Sequence, residues 1–478
     1  MLQNANRIGA FLFGTIGLAA LALAQSPGTF TPTGNLTRAR DFHTATLLTN
    51  GKVLIAGGTG CCAATASAEL YDPSTGNFSA TGDMTAPRYM HTATRLADGK
   101  VLIAGGGLNS AELYDPSTGT FRATGGMAWV RGLSTATLLN NGHVLIAGGS
   151  STSSAELYDP STGTFSPTGA MTEPGADTAT LLPNGQVLVT RSVQYFEENH
   201  ADVYDPETGT FTRTGDLIDY STAGQYLPAI PGQQPAAMLL TNGRVLIAGG
   251  AAGDFYSPSA EIYDPVAGSF SATGRMTAGI GYWQAAALLP EGKVLIAGES
   301  SGNFTGIAEF YDPVTGTFSS PIQSQSQEGH AATLLPDGTV LLSGGWVCCG
   351  VTIATAEIYH PVVLVPSPVL FSLSGDGQGP GAILHADTHQ VVSASNPAAA
   401  GEALEVYGAG LIDGSAIPPQ VGIGGRMAEV LFFGKAPGFT GLNQVNVRMP
   451  SGVTPGSSVS VRLSYLGRPS NEVTLAVQ

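Results

Sequence analysis

Charged residues are scarce in this chain, and basic ones are the scarcest. Of its 478 residues only 11% are charged, with 19 lysines and arginines against 35 aspartates and glutamates, so the net charge is −16. Nucleic acids and anionic membrane surfaces bind proteins through basic patches. The composition therefore argues against both as partners.

Long apolar runs are absent after the first 24 residues, because no later segment approaches the ~18 continuous apolar residues that a membrane span needs. Near the start, Arg7 precedes an uncharged stretch that closes on Ala22-Leu23-Ala24, a pattern typical of a cleaved leader. We predict a signal peptide over residues 1–24. The mature protein is then a secreted, periplasmic or cell-surface monomer without a membrane span. An uncleaved N-terminal anchor is the alternative.

Cysteine is rare: the four cysteines form two adjacent pairs, Cys61-Cys62 and Cys348-Cys349. Disulfides are expected in an exported protein, so we predict that all four are oxidised. Three connectivities are open, one within the pairs and two between them. A metal site is the weaker alternative, because adjacent thiols lack the two-residue spacer of zinc knuckles.

Turn-forming residues, by contrast, are abundant. The chain has 65 glycines and 30 prolines while 43% of it is hydrophobic, which indicates a folded protein with many turns. From residue 28 to about 361 the sequence repeats. One unit runs from His91 to Gly125 and contains four short apolar runs separated by turn residues. The repeat therefore predicts a series of four-stranded units.

The order of the recurring elements differs between the first and last units, and this phase of the repeat predicts how the two ends of the repeat region pair. Seven dipeptides of the Asn-Gly type, seven Tyr-x-Pro segments and seven fourth-strand phenylalanines recur. The first phenylalanine, Phe30, precedes every other element, and no equivalent follows the last tyrosine, Tyr359. A strand at residues 28–34 would therefore complete the last unit and close a ring of seven without an open sheet edge.

Glycine pairs end the second strand of five units: Gly57-Gly58, Gly105-Gly106, Gly148-Gly149, Gly249-Gly250 and Gly344-Gly345. With an aromatic residue in each later strand, this pattern resembles the Kelch family of β-propellers. The resemblance implies a seven-bladed Kelch-type β-propeller over residues 25–361. It says little about function, because propellers host unrelated activities.

The repeat stops after Pro361. Residues 362–385 are predicted to be a linker with one short strand. Residues 386–478 contain short alternating strands, typical of a small β-sandwich, and segments such as Tyr407-Gly-Ala-Gly410 resemble the immunoglobulin-like C-terminal domain of many secreted bacterial repeat proteins. The predicted fold class is all-β, a seven-bladed propeller followed by an immunoglobulin-like β-sandwich.

Residues that recur in every unit are interpreted as structural, because an active site needs one constellation of residues. This applies to the carboxylates before the Tyr-x-Pro turns, which are expected to hold a neighbouring strand: Glu69, Glu112, Glu156, Asp202, Glu261, Glu309 and Glu357. Departures from the repeat are better candidates for a site.

One departure lies at the start of the first strand. Histidines stand there in three blades that are neighbours in the closed ring, and arginines stand three residues earlier in blades one to three: His43, His91, His330, Arg40, Arg88 and Arg131. Imidazole favours transition metals, and guanidinium favours carboxylates or phosphates. A metal or anion site is one interpretation, and a structural strand start is the other.

A second departure lies in loops of blades four to seven, which carry additional aromatic residues: Tyr195, Tyr220, Phe255, Tyr256, Tyr282, Trp283 and Trp346. Exposed rings on the loops of a rigid scaffold are typical of sites for sugars or peptides. We therefore predict a ligand on the face formed by the loops between second and third strands and between blades, here called the loop face. The opposite face, here called the hairpin face, carries only uniform Asn-Gly and Pro-x-x-Gly turns.

Two functions fit these features. The first is an extracellular binding or scaffold protein for a glycan or protein ligand, without a cofactor. The second follows from a resemblance to the galactose oxidase family, which joins a Kelch ring to an immunoglobulin-like domain and binds copper through two tyrosines, one cross-linked to cysteine, and two histidines. Here Tyr359-His360 lies in a repeat turn, and His385 and His389 are the C-terminal candidates. We therefore expect binding rather than catalysis.

Overall fold

The computed structural model shows an all-β protein. The described residues are 28–60, 63–149, 152–191, 200–218, 235–249, 251–252, 255–256, 258–280, 284–300, 305–325, 328–347, 351–362, 367–437, 439 and 441–478. They form strands and turns without an α-helix. Within these ranges, no helix offers the length and apolarity that a membrane crossing requires.

Seven antiparallel sheets, six of four strands and one of five, form the blades of a propeller. Their first strands contact one another in ring order, and the last contacts the first. The strands of blade one are Thr44–Leu47, Val53–Ala56, Ala68–Asp72 and Asn77–Ala80, those of blade two are His91–Arg95, Val101–Gly105, Ala111–Asp115 and Thr120–Ala123, and those of blade three are Thr135–Leu138, Val144–Ala147, Ala155–Asp159 and Thr164–Pro167. The strands of blade four are Thr178–Leu181, Val187–Arg191, His200–Asp205 and Thr210–Arg213, and those of blade five are Ala236–Leu239, Val245–Ala248, Ala260–Asp264 and Ser269–Ala272. The strands of blade six are Ala285–Leu288, Val294–Glu299, Gly306–Asp312 and Thr317–Phe318, and Ile322–Gln323 is its fifth strand.

Blade seven is built from both ends of the propeller. Its inner strands are Ala331–Leu334, Val340–Ser343 and Ala356–His360, and its outer strand is Thr29–Pro32. Thr29 pairs with His360 and Pro32 with Glu357 in an antiparallel register. This is the position that the phase of the repeat predicts for residues 28–34.

The same tyrosine contacts recur around the ring, with a packed phenylalanine in the same blade and a hydrogen bond to the preceding blade. In blade two, Tyr114 packs on Phe121 with ring centroids 4.8 Å apart. The Tyr114 hydroxyl lies 3.0 Å from Thr81 Oγ1 of the preceding blade. Apolar clusters fill the interfaces in the same way, as where Leu54 of blade one joins Val101 of blade two. The recurring tyrosines and phenylalanines are thus packing residues, as expected.

The glycine pairs allow the next loop to approach closely. Gly57 and Gly58 have φ angles of 65° and 94°, which residues with a side chain rarely adopt. A Cβ on Gly57 would lie 2.5 Å from the carbonyl oxygen of Arg88. The pair therefore has a structural role at this site.

The C-terminal part is one curled, nine-stranded half-barrel sheet. Its strands are Val369–Leu370, Ile383–His385, Ala403–Ala409, Gln420–Ile423, Arg426–Lys435, Asn443–Arg448, Gly456–Tyr465, Arg468–Pro469 and Val473–Val477. Leu404, Val421 and Val461 are fully buried in its core. The immunoglobulin-like assignment stays a prediction.

The predicted linker, residues 362–385, differs from expectation because two of its segments are part of this sheet. Val369–Leu370 and Ile383–His385 both pair with Ala403–Ala409. Leu370 and Ile383 lie in the apolar core, so burial of their side chains explains why these segments are ordered strands.

The C-terminal sheet lies over the hairpin face of the propeller. Arg95 of blade two donates a hydrogen bond from Nη2 to Ser464 Oγ at 2.7 Å and another to the Gly467 carbonyl at 2.9 Å. Leu466 packs against the apolar cluster of blades five and six. The loop face is left on the opposite side.

Candidate functional site on the loop face

Backbone hydrogen bonds link four blades where the loop face meets the central channel. Phe42, Met90 and Leu133, just before the first strands of blades one to three, have φ angles of 50°, 50° and 59°. Phe42 N donates to Gly329 O at 3.0 Å, Met90 N to Phe42 O at 3.1 Å, and Leu133 N to Met90 O at 3.3 Å. This chain of bonds, here called the girdle, fixes the channel mouth at blades seven, one, two and three.

Arg88 shows how the predicted arginines are used. It is 0% exposed, and its Nε donates to Glu112 Oε1 at 2.9 Å. Nη1 donates to the carbonyl oxygens of Gly105 and Ser110 at 2.7 and 2.9 Å, and Nη2 donates to Ser110 Oγ at 2.8 Å. A buried ion pair is tolerated when its remaining donors are satisfied in this way.

Arg40 and Arg131 repeat the arrangement in blades one and three, where they pair with Glu69 and Glu156 at 2.8 and 2.9 Å. Both arginines are fully buried. The structure therefore places Arg40, Arg88 and Arg131 inside the blades and not on a ligand-binding surface. The reason is that each blade already supplies a carboxylate and several carbonyl oxygens that match the guanidinium donors.

The three histidines lie in one arc, as ring order requires, but they turn into the blade interfaces. His43 Nε2 lies 3.2 Å from Ser343 Oγ, and His91 Nε2 lies 3.0 Å from Thr44 Oγ1. His330 is also buried. Burial lowers the pKa of His43 well below its usual range and that of His91 to about 3. Among the described residues, no three histidine, cysteine or acidic side chains are grouped to hold a metal ion.

In blades four to seven the arginine position holds other residues: Pro174, Gly232, Gly281 and Gln327. The recurring carboxylates remain buried and accept backbone hydrogen bonds. Glu261 accepts from Ile218 N at 2.9 Å, and Glu309 accepts from Thr277 N at 2.8 Å and Ala278 N at 2.7 Å. Burial raises the pKa of Glu261 to about 7 and also raises that of Glu309.

Among the described residues, exposed aromatic side chains on the loop face lie in blades two and three. Trp129 is 62% exposed, Val130 55% and Tyr89 42%. Sequence reasoning missed them because it followed the irregular loops of blades four to seven. The available signal was a Trp-Val pair directly before the blade-three arginine, where blades one and two have smaller or charged residues.

Only part of the predicted aromatic set can be placed. Trp346 is half-buried at the start of a short hairpin with Val351–Thr352, and its backbone N–H donates to the Glu328 carbonyl at 2.9 Å. Phe255–Tyr256 pairs with Ala251–Ala252 as backbone, and the side chains of both residues lie outside the described part. Outside the described residues are also Tyr195, Tyr220, Tyr282, Trp283, Cys61, Cys62, Cys348 and Cys349.

The neighbours Tyr359 and His360 do not form half of a copper site. Tyr359 is buried between the rings of Phe30 and Phe310, at centroid distances of 5.1 and 5.0 Å. Burial raises its pKa to about 12. His360 Nε2 lies 2.8 Å from Thr31 Oγ1. Both residues hold the closing strand of blade seven.

The C-terminal histidines are held by carboxylates of their own sheet. His385 Nδ1 lies 3.0 Å from Glu402 Oε1, and His389 Nδ1 lies 3.2 Å from Glu405 Oε2. Neither lines the cavity between the C-terminal sheet and the channel. The described residues therefore do not fit the copper site that the galactose oxidase resemblance implies.

No protein-family profile and no curated protein sequence matches this chain. Among solved structures, a fungal alcohol oxidase of the AA5 family, in complex with copper, is similar. The two share 17% sequence identity with a TM-score of 0.59, and the match covers 95% of this chain and 100% of the other. Identity this low establishes a shared fold alone, so the Kelch assignment also stays a prediction.

Proposed function

We propose that this protein binds an extracellular glycan on the loop face of its propeller. The observation that carries the proposal is Trp129, whose large aromatic side chain is 62% exposed. Aromatic rings present a large apolar surface to a sugar ring at a small cost in side-chain entropy.

The backbone beneath Trp129 is firmly held. Ala128 N donates to Glu156 Oε1 at 2.8 Å, and Glu156 is itself paired with the buried Arg131. On the other side, Met127 N donates to Asn109 O at 2.7 Å. An indole carried on an ordered segment loses little entropy on binding, which is the advantage of preorganisation.

A neutral, hydroxyl-rich ligand fits the charge of the protein. The chain carries a net charge of −16, so it repels acidic polymers that come within about a Debye length of its surface. Arg131, two residues along the chain from Trp129, is buried in an ion pair with Glu156 and offers no cation to an anionic ligand. Stacking on a neutral glycan and hydrogen bonding to it require neither a positive net charge nor a free cation.

A glycan-array screen of the mature protein, followed by titration of any hit, tests the proposal. Trp129→Ala should weaken binding by at least about 1 kcal/mol, as expected for a stacking residue. Val266→Ala is the matched control, because Val266 is 97% exposed in a turn of the hairpin face. Binding that survives Trp129→Ala unchanged, or a protein ligand mapped elsewhere, would overturn the proposal.

An alcohol- or sugar-oxidising enzyme is the second candidate. The likeness to the fungal copper enzyme favours it directly, because the match spans both the propeller and the C-terminal sheet. The described residues do not supply the ligands, so the test must be made on the whole chain. Copper content of the purified protein and oxygen consumption with galactose and simple primary alcohols decide the matter. Stoichiometric copper with oxidase activity would make this the function.

The expected setting is outside the cell, as a monomer freed from its N-terminal leader. The predicted leader over residues 1–24 supports the location. Mass measurement of the protein from its native host would give the mature N-terminus, and size-exclusion chromatography with light scattering would give the oligomeric state.

A further inference from the structure

A cavity of about 370 Å³ lies where the C-terminal sheet covers the hairpin end of the central channel. The first strands of blades seven, one and two contribute Thr333, Thr46 and Arg95 to its wall, and the C-terminal sheet contributes Met427 and Arg462. Cavities of this volume are typical of small-molecule sites. It lies at the end of the propeller opposite to the loop face.

Arg95 is a departure from the repeat. The same position of the first strand is leucine in the other six blades: Leu47, Leu138, Leu181, Leu239, Leu288 and Leu334. Propeller packing therefore does not require a cation there. Since arginine replaces leucine in one blade only and faces the cavity, we infer that Arg95 has a function connected with the cavity.

The guanidinium of Arg95 is held by neutral acceptors. Nη1 donates to the Leu47 carbonyl at 2.6 Å, and Nη2 donates to Ser464 Oγ and to the Gly467 carbonyl at 2.7 and 2.9 Å. This differs from Arg88, whose charge is met by a buried glutamate at 2.9 Å. The position of Arg95 is thus fixed while its charge is not neutralised by these contacts.

A second arginine contributes to the wall of the cavity. Arg462 lines the same space and pairs with Glu472, which does not line it. No aspartate or glutamate is among the residues that line the cavity. Burial and the nearby Arg462 lower the pKa of Arg95 to about 10, so Arg95 remains charged at neutral pH. An anion in this cavity would meet Arg95, whose hydrogen-bond partners are neutral, and the partly exposed Arg462.

The rest of the wall is mixed. Leucines from four blades and Met427 give it apolar surface, and Thr46, Thr333 and Gln420 add hydroxyl and amide groups. An inorganic oxyanion would use only the arginine end. A molecule with a carboxylate at one end and a small partly apolar body would use all of it.

We propose that this cavity binds a small organic carboxylate, with Arg95 and Arg462 receiving the carboxylate group. The alternative is that Arg95 only fastens the C-terminal sheet to the propeller through Ser464 and Gly467. Carboxylate binding should persist when a contact between the C-terminal sheet and the propeller is removed but the charge of Arg95 is kept. Binding should be lost when a neutral molecule of the same shape replaces the carboxylate. If Arg95 only attaches the C-terminal sheet, no carboxylate should bind.

Isothermal titration of the full chain uses two matched pairs, phenylacetate with phenylacetamide and glucuronate with glucose, and adds inorganic phosphate. At least one carboxylate should bind, and its neutral counterpart should not. Arg95→Leu, which installs the residue of the other blades, should weaken that binding at least about tenfold. Ser464→Ala removes one contact between the two parts and keeps the guanidinium, so binding should persist.

Arg462→Gln guards against a folding defect in Arg95→Leu, because it leaves the propeller untouched and should also weaken the carboxylate. Melting curves show which variants are folded. The proposal is overturned if neither carboxylate binds, if the neutral molecules bind equally well, or if phosphate alone binds. It is equally overturned if both arginine variants bind like the unaltered protein.

Discussion

Blades one to three and blades four to seven bury the same carboxylate in different electrostatic surroundings. In the first group an arginine meets it, as Arg131 meets Glu156 at 2.9 Å with both side chains almost fully buried. Backbone N–H groups donate to it in both groups, as at Glu156 and Glu309, and in the second group the position of the arginine holds other residues. The strands keep one register in both groups, since Tyr158 pairs with Phe165 just as Tyr263 pairs with Phe270.

The difference indicates that a blade can bury this carboxylate with backbone N–H donors alone, without an arginine beside it. A protonated Glu261 can still accept the N–H of Ile218, and its raised pKa of about 7 is consistent with this role. The arginines of the first group add a rigid frame. The exposed Trp129 stands on that frame, while the irregular loops belong to the second group.

The largest effect is expected in blade seven, the member of the second group that joins both ends of the propeller. Deleting residues 28–36 removes its outer strand and Phe30, which packs on Tyr359. We expect the free energy of unfolding to fall by more than about 5 kcal/mol, because a paired strand and a buried aromatic contact are lost together. Urea denaturation followed by circular dichroism measures this. An unchanged midpoint would contradict ring closure by this strand.

Removing a charge from blade two tests the first group. Arg88→Met leaves Glu112 buried without its cation and should destabilise the protein by about 3–5 kcal/mol. Adding Glu112→Gln should recover much of that loss, because a neutral amide resembles the acceptor of blades four to seven. If the double variant is as unstable as the single one, the two groups are not interchangeable.

The raised pKa of Glu261 predicts a pH dependence for the second group. The folded state keeps this proton up to about pH 7, whereas the unfolded chain loses it near 4.5. Stability is therefore greatest at the acidic end of this window and falls as the pH rises from 4.5 to 7, by up to about 3 kcal/mol. Glu261→Gln should flatten this slope in melting curves, while Glu429→Gln, an exposed carboxylate of the C-terminal sheet, should not.

The buried His91 predicts the opposite slope for the first group. Its pKa is lowered to about 3 from 6.5, so the unfolded chain takes up the proton first as the pH falls. Stability from this group is complete above pH 6.5 and declines by about 2 kcal/mol on reaching pH 5. His91→Gln copies blade six, where Gln284 holds this position. The loss of stability between pH 6.5 and pH 5 should be smaller in that variant. If the full loss persists, a group other than His91 causes it.

The ring and its closure could be predicted because they depend on counting, as with Phe30 before the first blade and Tyr359 in the last. The role of Arg88 could not, since its partner Glu112 lies 24 residues away and the spacing does not show which way a side chain turns. The role of Arg95 could not be predicted either, because its partners Ser464 and Gly467 belong to the C-terminal sheet and lie more than 360 residues away. The exposure of Trp129 could not be predicted because the repeat is regular in its blade.

The closing strand imposes an order on biosynthesis. Thr31 and His360 are hydrogen-bonded across 329 positions of the chain. At ribosomal speeds of about 5–20 residues per second, the first strand waits roughly 15–65 s for the partner that it pairs with. For that time Phe30 is without its aromatic neighbour and an unpaired strand edge is exposed to other chains. Nascent molecules are therefore most prone to aggregation until blade seven has been made.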